Sequence, residues 1–542
     1  MTTGPAPAGE DLHDLAQEDL VGAVTYEEWL GAPALSYPNR PPTLPDVLDR
    51  AVRRFGPRTF LTAPEGELTY AEFAELVEGA VERLAEEGVG PGDRLGVVAR
   101  NGLDLAVALF ACARSGAVLV GLSPRTAPEQ WAYQLRHSRA GLALAQDDLV
   151  DRLARAGSLA GLAPDRARPL GDHLTGRHRP WSYRPDQRPD EAAAFAVVYT
   201  SGTTGRPKAS RVVHRASVHS GLSYARALQL TADDCTAVVF PLTYISALHA
   251  HLLPMLVAGG RCVLVADASP RHLVSVIAGE GVSWVYVVPS LWQLLLRVDG
   301  FSWPELACLR LGGFGGAPMP RATIDQLRRR LPQMRLHDIY GLSETHSPAT
   351  VLLDSELRRK PGSVGRPLPC MEAKVVGEDG DELPCGQPGE LLLRGSLVTT
   401  GYEGDPEATA AAISEGWFRT GDVARIDAEG YVYILDREKD MINRGGHKVF
   451  SAEVERLLRE HARIADAAVV GIPDRVAGEA VAAFVVPAAP GGIDADEVRL
   501  WVRDRLADYA VPRVVRVVGG LPRNPTGKVD KPALRDRLSG PR

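Results

Sequence analysis

Lysine is scarce in this 542-residue chain: of 61 basic residues only seven are lysine, at positions 208, 360, 374, 439, 448, 528 and 531. Where arginine is the default cation, a lysine marks a place that takes a compact ammonium instead of a planar fork. Cysteine is equally thin. Cys112, Cys235, Cys262, Cys308, Cys370 and Cys385 form no C-x-x-C pair, so neither a disulfide framework nor a thiolate zinc site is signalled, and a reducing cytoplasm fits best. No run of about 18 apolar residues occurs, and the acidic N-terminal stretch lacks a basic-then-apolar signal pattern, so neither a membrane span nor export is expected. A formal charge of −7 lacks the basic excess that draws a chain to nucleic acid or an anionic membrane. His249 and His251 have no third ligand at helical or hairpin spacing, which leaves histidine-held metal unsupported.

What is present is material for several cores. Hydrophobic residues make up 45% and charged residues 24% of the chain, the balance of an ordinary globular protein, and the length predicts more than one domain-sized unit. After a loose, proline-rich start to about residue 45, apolar spacing predicts helices over 44–54 and 70–86. A strand at 94–99, a helix at 103–114 and a strand at 118–121 then set a βαβ rhythm. Residues 164–190, rich in Pro, Arg and Asp, read as a surface connection. A buried strand at 194–199 resumes the alternation, which continues through strands at 262–266, 284–288 and 309–312 and a helix at 320–330. From residue 373 short alternating strands with Gly and Asp turns take over, notably 390–394 and 431–435, and a small unit follows. Its helices are expected at 452–459 and 496–506 and its strands at 467–471 and 480–486, with a boundary near Lys439. The fold class is therefore α/β, with an α+β C-terminal unit.

One stretch carries chemistry on its face. Thr200-Ser201-Gly202-Thr203-Thr204-Gly205-Arg206-Pro207-Lys208 has glycines that permit positive φ, hydroxyls that donate to anionic oxygens, and a closing lysine, the composition of a phosphate cradle. Its spacing is not that of the common nucleotide loop, because four residues do not separate the glycines and Pro207 precedes the lysine. Alone it is equally a surface turn. Four further stretches follow in order: Tyr340-Gly341-Leu342-Ser343-Glu344, Gly416-Trp417-Phe418-Arg419-Thr420-Gly421-Asp422, Asp436-Arg437-Glu438-Lys439-Asp440, and Pro525-Thr526-Gly527-Lys528. Together, over about residues 40–535, they resemble the adenylate-forming superfamily of acyl-CoA synthetases, luciferases and peptide-synthetase adenylation domains.

The resemblance implies a large N-terminal core (residues 1–438) of αβ-layered sheets with a small β-barrel-like subdomain, and a small mobile C-terminal domain (439–542). It implies a two-step reaction, in which a carboxylate attacks the α-phosphate of ATP and releases pyrophosphate, and a thiol then takes the acyl group from AMP. By motif match Thr200, Ser201, Gly202, Thr203, Thr204, Gly205 and Lys208 would hold the β- and γ-phosphates, with Ala209 standing where a glycine is common. Glu344 would hold Mg2+, directly or through water, beside Ser343 in place of the common threonine. Gly315, Gly316, Ala317 and Pro318 resemble the adenine-side loop, and Tyr340, next to Gly341, would lie against the adenine face. Asp422 would accept from the ribose hydroxyls and Arg437 would contact ribose or phosphate; for Arg437 the plainer reading is a surface pair with Glu438 or Asp440. Lys528 would bridge the carboxylate and α-phosphate oxygens. Lys439 matches the hinge about which the C-terminal domain turns, and Gly445 and Gly446 would leave room for a pantetheine arm.

For the acid, the stretch Phe240 to His249 matters. Where amino-acid activating relatives carry an aspartate, this chain has Ile245, and a buried ammonium facing isoleucine lacks its partner, which argues against an α-amino acid. An aromatic or apolar acid is expected, with Tyr244, Ile245, His249, Phe314 and Leu342 as pocket walls; simple core packing is the competing reading for each. The acceptor is expected to be free coenzyme A, then the phosphopantetheine arm of a carrier protein. Use of the adenylate for amide formation, or activation of another oxyanion such as nitrite, stays open. A non-enzymatic sensor is disfavoured, since Lys208, Glu344, Asp422, Arg437, Lys439 and Lys528 are all present. A monomer or a homodimer fits equally.

Overall fold

Two largely parallel sheets carry the long apolar runs. In a computed structural model that describes residues 23–174, 189–200, 207–489, 491–523 and 529–539, the first sheet orders Ala194–Thr200, Val118–Leu122, Arg94–Val98, Leu142–Ala145 and Ala167–Pro169 in parallel, with Lys208–Val213 antiparallel at its edge. The second orders Thr59–Ala63, Arg261–Leu264, Cys235–Val238, Trp284–Val287, Leu311–Gly315 and Arg335–Tyr340 in parallel, and antiparallel strands close both edges: Gly66–Thr69 at one, Thr350–Leu352 and Arg366–Pro367 at the other.

Parallel strands covered on both faces must be apolar throughout, and the packing shows the covers. One continuous core joins both sheets through the helices Leu44–Phe55, Tyr70–Glu86, Leu103–Ser115 and His214–Ala227. Leu105 to Ala113 are all buried, as expected of a helix that is apolar all round. Helices Pro128–Ser138 and Val150–Ala160 cover the outer face of the first sheet. Pro270–Gly279, Pro289–Leu295 and Arg321–Arg330 cover that of the second. The first two helices start where reciprocal caps dictate, Thr43 with Asp46 and Thr69 with Glu72.

The third sheet, expected as the small barrel-like subdomain, is antiparallel and comprises Met371–Val376, Gly389–Gly395, Ile413–Ser414, Trp417–Ile426 and Val432–Arg437. The fourth belongs to the C-terminal unit: Ile442–Arg444, His447–Val449, Ile464–Asp474, Gly478–Pro487 and Val514–Val517. Helices Ser451–Arg459 and Ala495–Arg503 pack on one of its faces and Lys531–Ser539 on the other. The turn Glu438–Asp440, holding Lys439, lies between the last strand of the third sheet and the first of the fourth.

Three sequence expectations need correction. The stretch before residue 45 is not loose throughout: Thr25–Trp29 and Ala32–Ser36 form a hairpin whose Trp29 and Ala34 pack on Val213 and Ala216. Within the expected surface connection, Ala167–Pro169 pairs as an edge strand and Leu170 is buried; a proline is tolerated there because the edge needs no further donor. The strand expected at 309–312 runs instead over Leu311–Gly315, because small Gly312 and Gly313 fit beneath Met334, Trp292, Trp284 and Tyr286 and continue it.

Asp436 ties the last two sheets. It ends the third, yet its carboxylate accepts from the backbone amides of Ser451 and Ala452 and, at 3.0 Å, from Ser451 Oγ, so it caps the first helix of the C-terminal unit. Lys531 Nζ donates to the same Ser451 Oγ at 2.7 Å and pairs with Glu455 at 2.9 Å. Losing an N-cap acceptor costs about 1 kcal/mol. Asp436→Ala is therefore expected to speed amide hydrogen exchange across Ser451–Arg459 by about fivefold, with Asp436→Asn, which keeps an acceptor, showing less. Unchanged exchange in the alanine variant contradicts the cap.

Candidate functional site

The residues expected on the phosphate side meet around one phenol. Thr200 ends a strand and Lys208 begins its antiparallel neighbour, the two being register partners, with Thr200 Oγ1 donating to Lys208 O at 3.4 Å. The loop between them thus springs from the first sheet's edge; Ser201, Gly202, Thr203, Thr204 and Gly205 lie outside the described residues. Glu344 sits in the turn Ser343–Thr345, just beyond the end of strand Arg335–Tyr340. It is 8% exposed, and its Oε1 accepts from Tyr402 Oη at 2.9 Å. Lys208 Nζ stands 4.9 Å from the centroid of the same Tyr402 ring. Among the described residues Glu344 Oε2 has no hydrogen-bond partner, and no group of three potential metal ligands occurs. One available carboxylate oxygen fits Mg2+, which binds through one or two carboxylates plus substrate phosphates and water.

Where the nucleoside is expected, Asp422 is 2% exposed and clamped from two directions. Tyr340 Oη donates to Oδ2 at 2.5 Å, and Arg437 Nε pairs with Oδ1 at 2.8 Å. Arg437 is opposite Asp422 on the neighbouring strand, so its partner is neither Glu438 nor Asp440. Burial works against the Arg437 guanidinium, but the carboxylates of Asp422, Glu344 and Asp440 outweigh it and hold it above its usual range. Burial, then the Asp422 charge, pushes the Tyr340 phenol well up. Gly315 ends its strand where a Cβ would stand 2.1 Å from Ile339 O and 2.6 Å from Tyr286 Oη. Gly316, at φ +74°, turns the chain outward, and Ala317 and Pro318 are exposed beyond it. Gly341 lies close under Ser347, Pro348 and Ala349.

The proposed acyl wall divides. Tyr244, Ile245 and Leu342 are partly buried, with Tyr244 Oη donating to Ser123 Oγ at 3.4 Å. Phe314 does not join them. It is 1% exposed in the outer core with Trp292, Leu327 and Leu336, because alternate strand residues face opposite ways and its neighbours Gly313 and Gly315 face Tyr286 instead. His249 is fully buried: Nδ1 donates to Ile245 O at 2.9 Å, and Ser217 Oγ lies 2.9 Å from Nε2. It belongs to a π-helical turn, Leu248–Leu252. Pro254 lacks the amide that would close the next turn on Ala250 O, and the Trp284 indole donates to that carbonyl at 3.1 Å.

At the junction, partial burial is the main cause lowering the Lys439 ammonium, with Arg437 and Arg535 adding to it against Asp440. Gly445 and Gly446, at φ +60° and +88°, form the two-residue turn between Ile442–Arg444 and His447–Val449. Such a turn itself demands positive φ at both positions. Lys528 lies outside the described residues. Sequence reasoning missed Tyr402, Tyr286 and Asp338. Burial pushes the Asp338 carboxyl well up, and burial, then Asp338, raises Tyr286. A Gly-Tyr pair ahead of the capped helix Pro406–Ala412 was the available signal for Tyr402. A cavity of about 740 Å³ opens elsewhere, between helix Tyr70–Glu86 and the Arg94, Arg211 and Glu403 cluster.

Comparison with known proteins places this geometry. Residues 48–403 match the family model described as AMP-binding enzyme, and residues 453–528 that of the AMP-binding enzyme C-terminal domain. The chain is 34% identical over 475 residues to a feruloyl-CoA synthase of Amycolatopsis, covering 87% of this chain and 94% of that one. It is 32% identical over 503 residues to an indoleacetate–CoA ligase of Aromatoleum aromaticum, covering 92% and 98%. Among solved structures, ATP-bound MatB from Rhodopseudomonas palustris superposes with a TM-score of 0.83 at 26% identity, covering 91% and 98%. O-succinylbenzoate coenzyme A synthetase from Bacillus subtilis, in complex with ATP and magnesium, gives 0.80 at 27%, covering 91% and 99%. The amide bond synthetase McbA from Marinactinospora thermotolerans gives 0.81 at 27%, covering 91% and 99%.

The histidines behind the site yield a pH prediction. His346 accepts from Val213 N at Nε2 and donates from Nδ1 to Leu397 O, both at 3.0 Å. Burial pushes His214, His249 and His251 down to about 3 and His337 to about 4, and His219 and His346 well below the usual value. The four near 3 to 4 are neutral when folded at pH 5, and the backbone amides donating to Nε2 of His219 and His346 require neutral rings there too, whereas the unfolded side chains, titrating near 6.5, are protonated. The unfolded state binds more protons, so stability is full above about pH 6.5 and falls as acid is added, by about 1.4 kcal/mol per pH unit per histidine. Calorimetric unfolding at pH 5.5 should show a lower Tm than at pH 7.5 and net proton uptake. A flat Tm across that window contradicts the neutral assignments.

Proposed function

Because the chain belongs to the AMP-binding enzyme family, whose named relatives here are acid–CoA ligases, we propose that it converts an aromatic or otherwise apolar carboxylic acid to an acyl adenylate and transfers the acyl group to coenzyme A. The observation that carries the reading is the clamped Asp422. It sits one loop away from Glu344, with Arg437 close enough to feel both carboxylates. A ribose needs a hydrogen-bond acceptor such as Asp422, and the Mg2+ that accompanies a triphosphate needs a carboxylate such as Glu344.

The chemistry divides among the side chains. Tyr340 and Arg437 hold Asp422 while each of its oxygens keeps a second lone pair for a ribose hydroxyl. Lys208 and Thr200, with the loop they flank, take the β- and γ-phosphates. Glu344 would hold Mg2+, which would supply neutralisation of the charge on the departing pyrophosphate. The acid's oxygen bonds to the α-phosphorus as the bond to pyrophosphate breaks, so the negative charge gathers where Lys528 would stand; its role rests on the Pro-Thr-Gly-Lys motif. The thiol sulfur then attacks the acyl carbon and AMP leaves. An apolar acid is supported by Ile245 and Leu342, and by relatives named for feruloyl and indoleacetate substrates. The likeness to an amide bond synthetase favours an amine as the second acceptor to test. The core and mobile unit are taken to meet at Lys439, in the turn between the third and fourth sheets.

The test is ATP–pyrophosphate exchange over a panel of carboxylic acids, with mass analysis of products formed with coenzyme A, a carrier protein or an amine. Exchange with aryl acids and a CoA thioester product is expected; exchange with no acid sinks the reading. Lys528→Ala should slow adenylate formation by about 10³-fold, the scale of losing a charge-stabilising donor, and spare thioester formation from synthetic acyl adenylate. Asp422→Ala should lower kcat/KM for ATP by about 10- to 100-fold, as expected for one hydrogen bond to a charged group. Equal loss of both half-reactions in Lys528→Ala contradicts its placement.

A further inference from the structure

Lys208 and Glu344 carry opposite charges and meet the same side chain, yet among the described residues they form no ion pair with each other. Opposite charges on flexible stems close on one another unless each is held elsewhere, and a closed pair would offer neither charge to a ligand. What holds both is Tyr402. Its phenol donates to Glu344 Oε1 at 2.9 Å, and its ring faces the Lys208 ammonium at 4.9 Å, within cation–π range.

The ring is itself fixed by its neighbours. Tyr402 is 7% exposed, its amide donates to Thr409 Oγ1 at 2.9 Å, and Thr409 Oγ1 donates back to Asp405 O at 2.8 Å. Gly401 precedes it at φ +116°, where a Cβ would stand 2.3 Å from Thr409 Cγ2. The backbone on either side ties the two charged residues together: Thr399 N donates to Glu344 O at 2.8 Å, Arg211 N to Gly401 O at 3.0 Å, and Glu403 N to Ala209 O at 2.8 Å.

We propose that Tyr402 is a positioning residue that keeps Lys208 and Glu344 apart and aimed, so that a cation and the phosphates it accompanies meet an open pair of opposite charges in place of a closed salt bridge. The inference rests on the reading that the chain binds ATP with Mg2+, and it assigns separate tasks to the hydroxyl and the ring. The hydroxyl orients the carboxylate toward the cation, leaving Oε2 available. The ring holds the ammonium.

Calorimetric titration of the full chain with ATP, without any acid, tests this at stepped Mg2+ concentrations and in Mg2+-free buffer. Tyr402→Phe keeps the ring and loses the hydroxyl. It should leave Mg2+-free ATP affinity unchanged and raise the half-saturating Mg2+ by about tenfold, the scale of one charged hydrogen bond. That effect should vanish in a Glu344→Gln background. Tyr402→Leu, which also removes the ring, should in addition weaken Mg2+-free binding by about threefold, as expected for a lost cation–π contact with closure of the ion pair. If Tyr402→Phe matches wild type, loses both kinds of binding alike, or acts equally in the Glu344→Gln background, the proposal is wrong while the functional reading stands. If the wild-type chain binds no ATP, that reading fails and the proposal with it.

Discussion

Asp422 holds a carboxylate where only 2% of the residue reaches solvent, and an anion at that depth persists only with donors upon it. The donors come from elsewhere in the architecture. Tyr340 arrives from the C-terminal end of a parallel strand in the nine-stranded sheet, and Arg437 from the last strand of the third sheet. Each would be misplaced without the other: the phenol and the guanidinium converge because the carboxylate draws both. The result is a corner where two sheets meet, preassembled and already charged. Its position obeys the general rule for open α/β sheets, in which ligands gather beyond the carboxyl ends of the strands.

Beside the turn that holds Glu344 the packing is neutral and close. His249 and His346 meet edge to face at 5.3 Å, an arrangement that two imidazolium cations would break. Both donate from Nδ1 to a backbone carbonyl and keep Nε2 as an acceptor, the state their burial enforces. The π turn beside them has a similar logic. Pro254 removes one backbone donor, and Trp284 returns it from the neighbouring sheet, so the irregular turn is locked to the strand that faces Gly313.

Sequence periodicity reached the elements whose burial is symmetrical and missed those whose environment is local. Strands at 94–99, 118–121 and 194–199 were legible because parallel strands covered on both faces are apolar without interruption. The helix Leu103–Ser115 was legible because it is apolar nearly all round and ends at Gly116 in the left-handed region. Phe314 was misread because its neighbours are glycines: without side chains there is no alternation to show which face a strand presents, and only Trp284 and Tyr286 across the sheet settle it. Edge strand Ala167–Pro169 was hidden by composition, since an edge tolerates the proline and arginine that a central strand excludes. Motif order brought Tyr340, Asp422, Arg437, Lys208 and Glu344 into view as a set, but not the contacts among them. The Gly-Tyr pair ahead of a capped helix marks Tyr402 only as part of a turn, since nothing local to it distinguishes a phenol that meets two charges from one in a core.

The strand Val432–Arg437 shows how site and junction are coupled without any long pathway. Its last two residues point to opposite sides, as successive strand residues must. Arg437 turns to Asp422, while Asp436 turns to the helix Ser451–Arg459 and, through Ser451, to Lys531. Arg535, one helical turn beyond Lys531, pairs with Asp440 at 2.7 Å. The connection that carries Lys439 is thereby bracketed by a capped helix on one side and an ion pair on the other, both made by the C-terminal unit. Any rotation of that unit about residues 438–440 must break the Asp436 cap or carry its strand along, and carrying the strand would pull Arg437 from Asp422. A ligand that tightens the Asp422 corner therefore fixes the strand, and leaves the cap and the Asp440 pair as the contacts a rotation has to break.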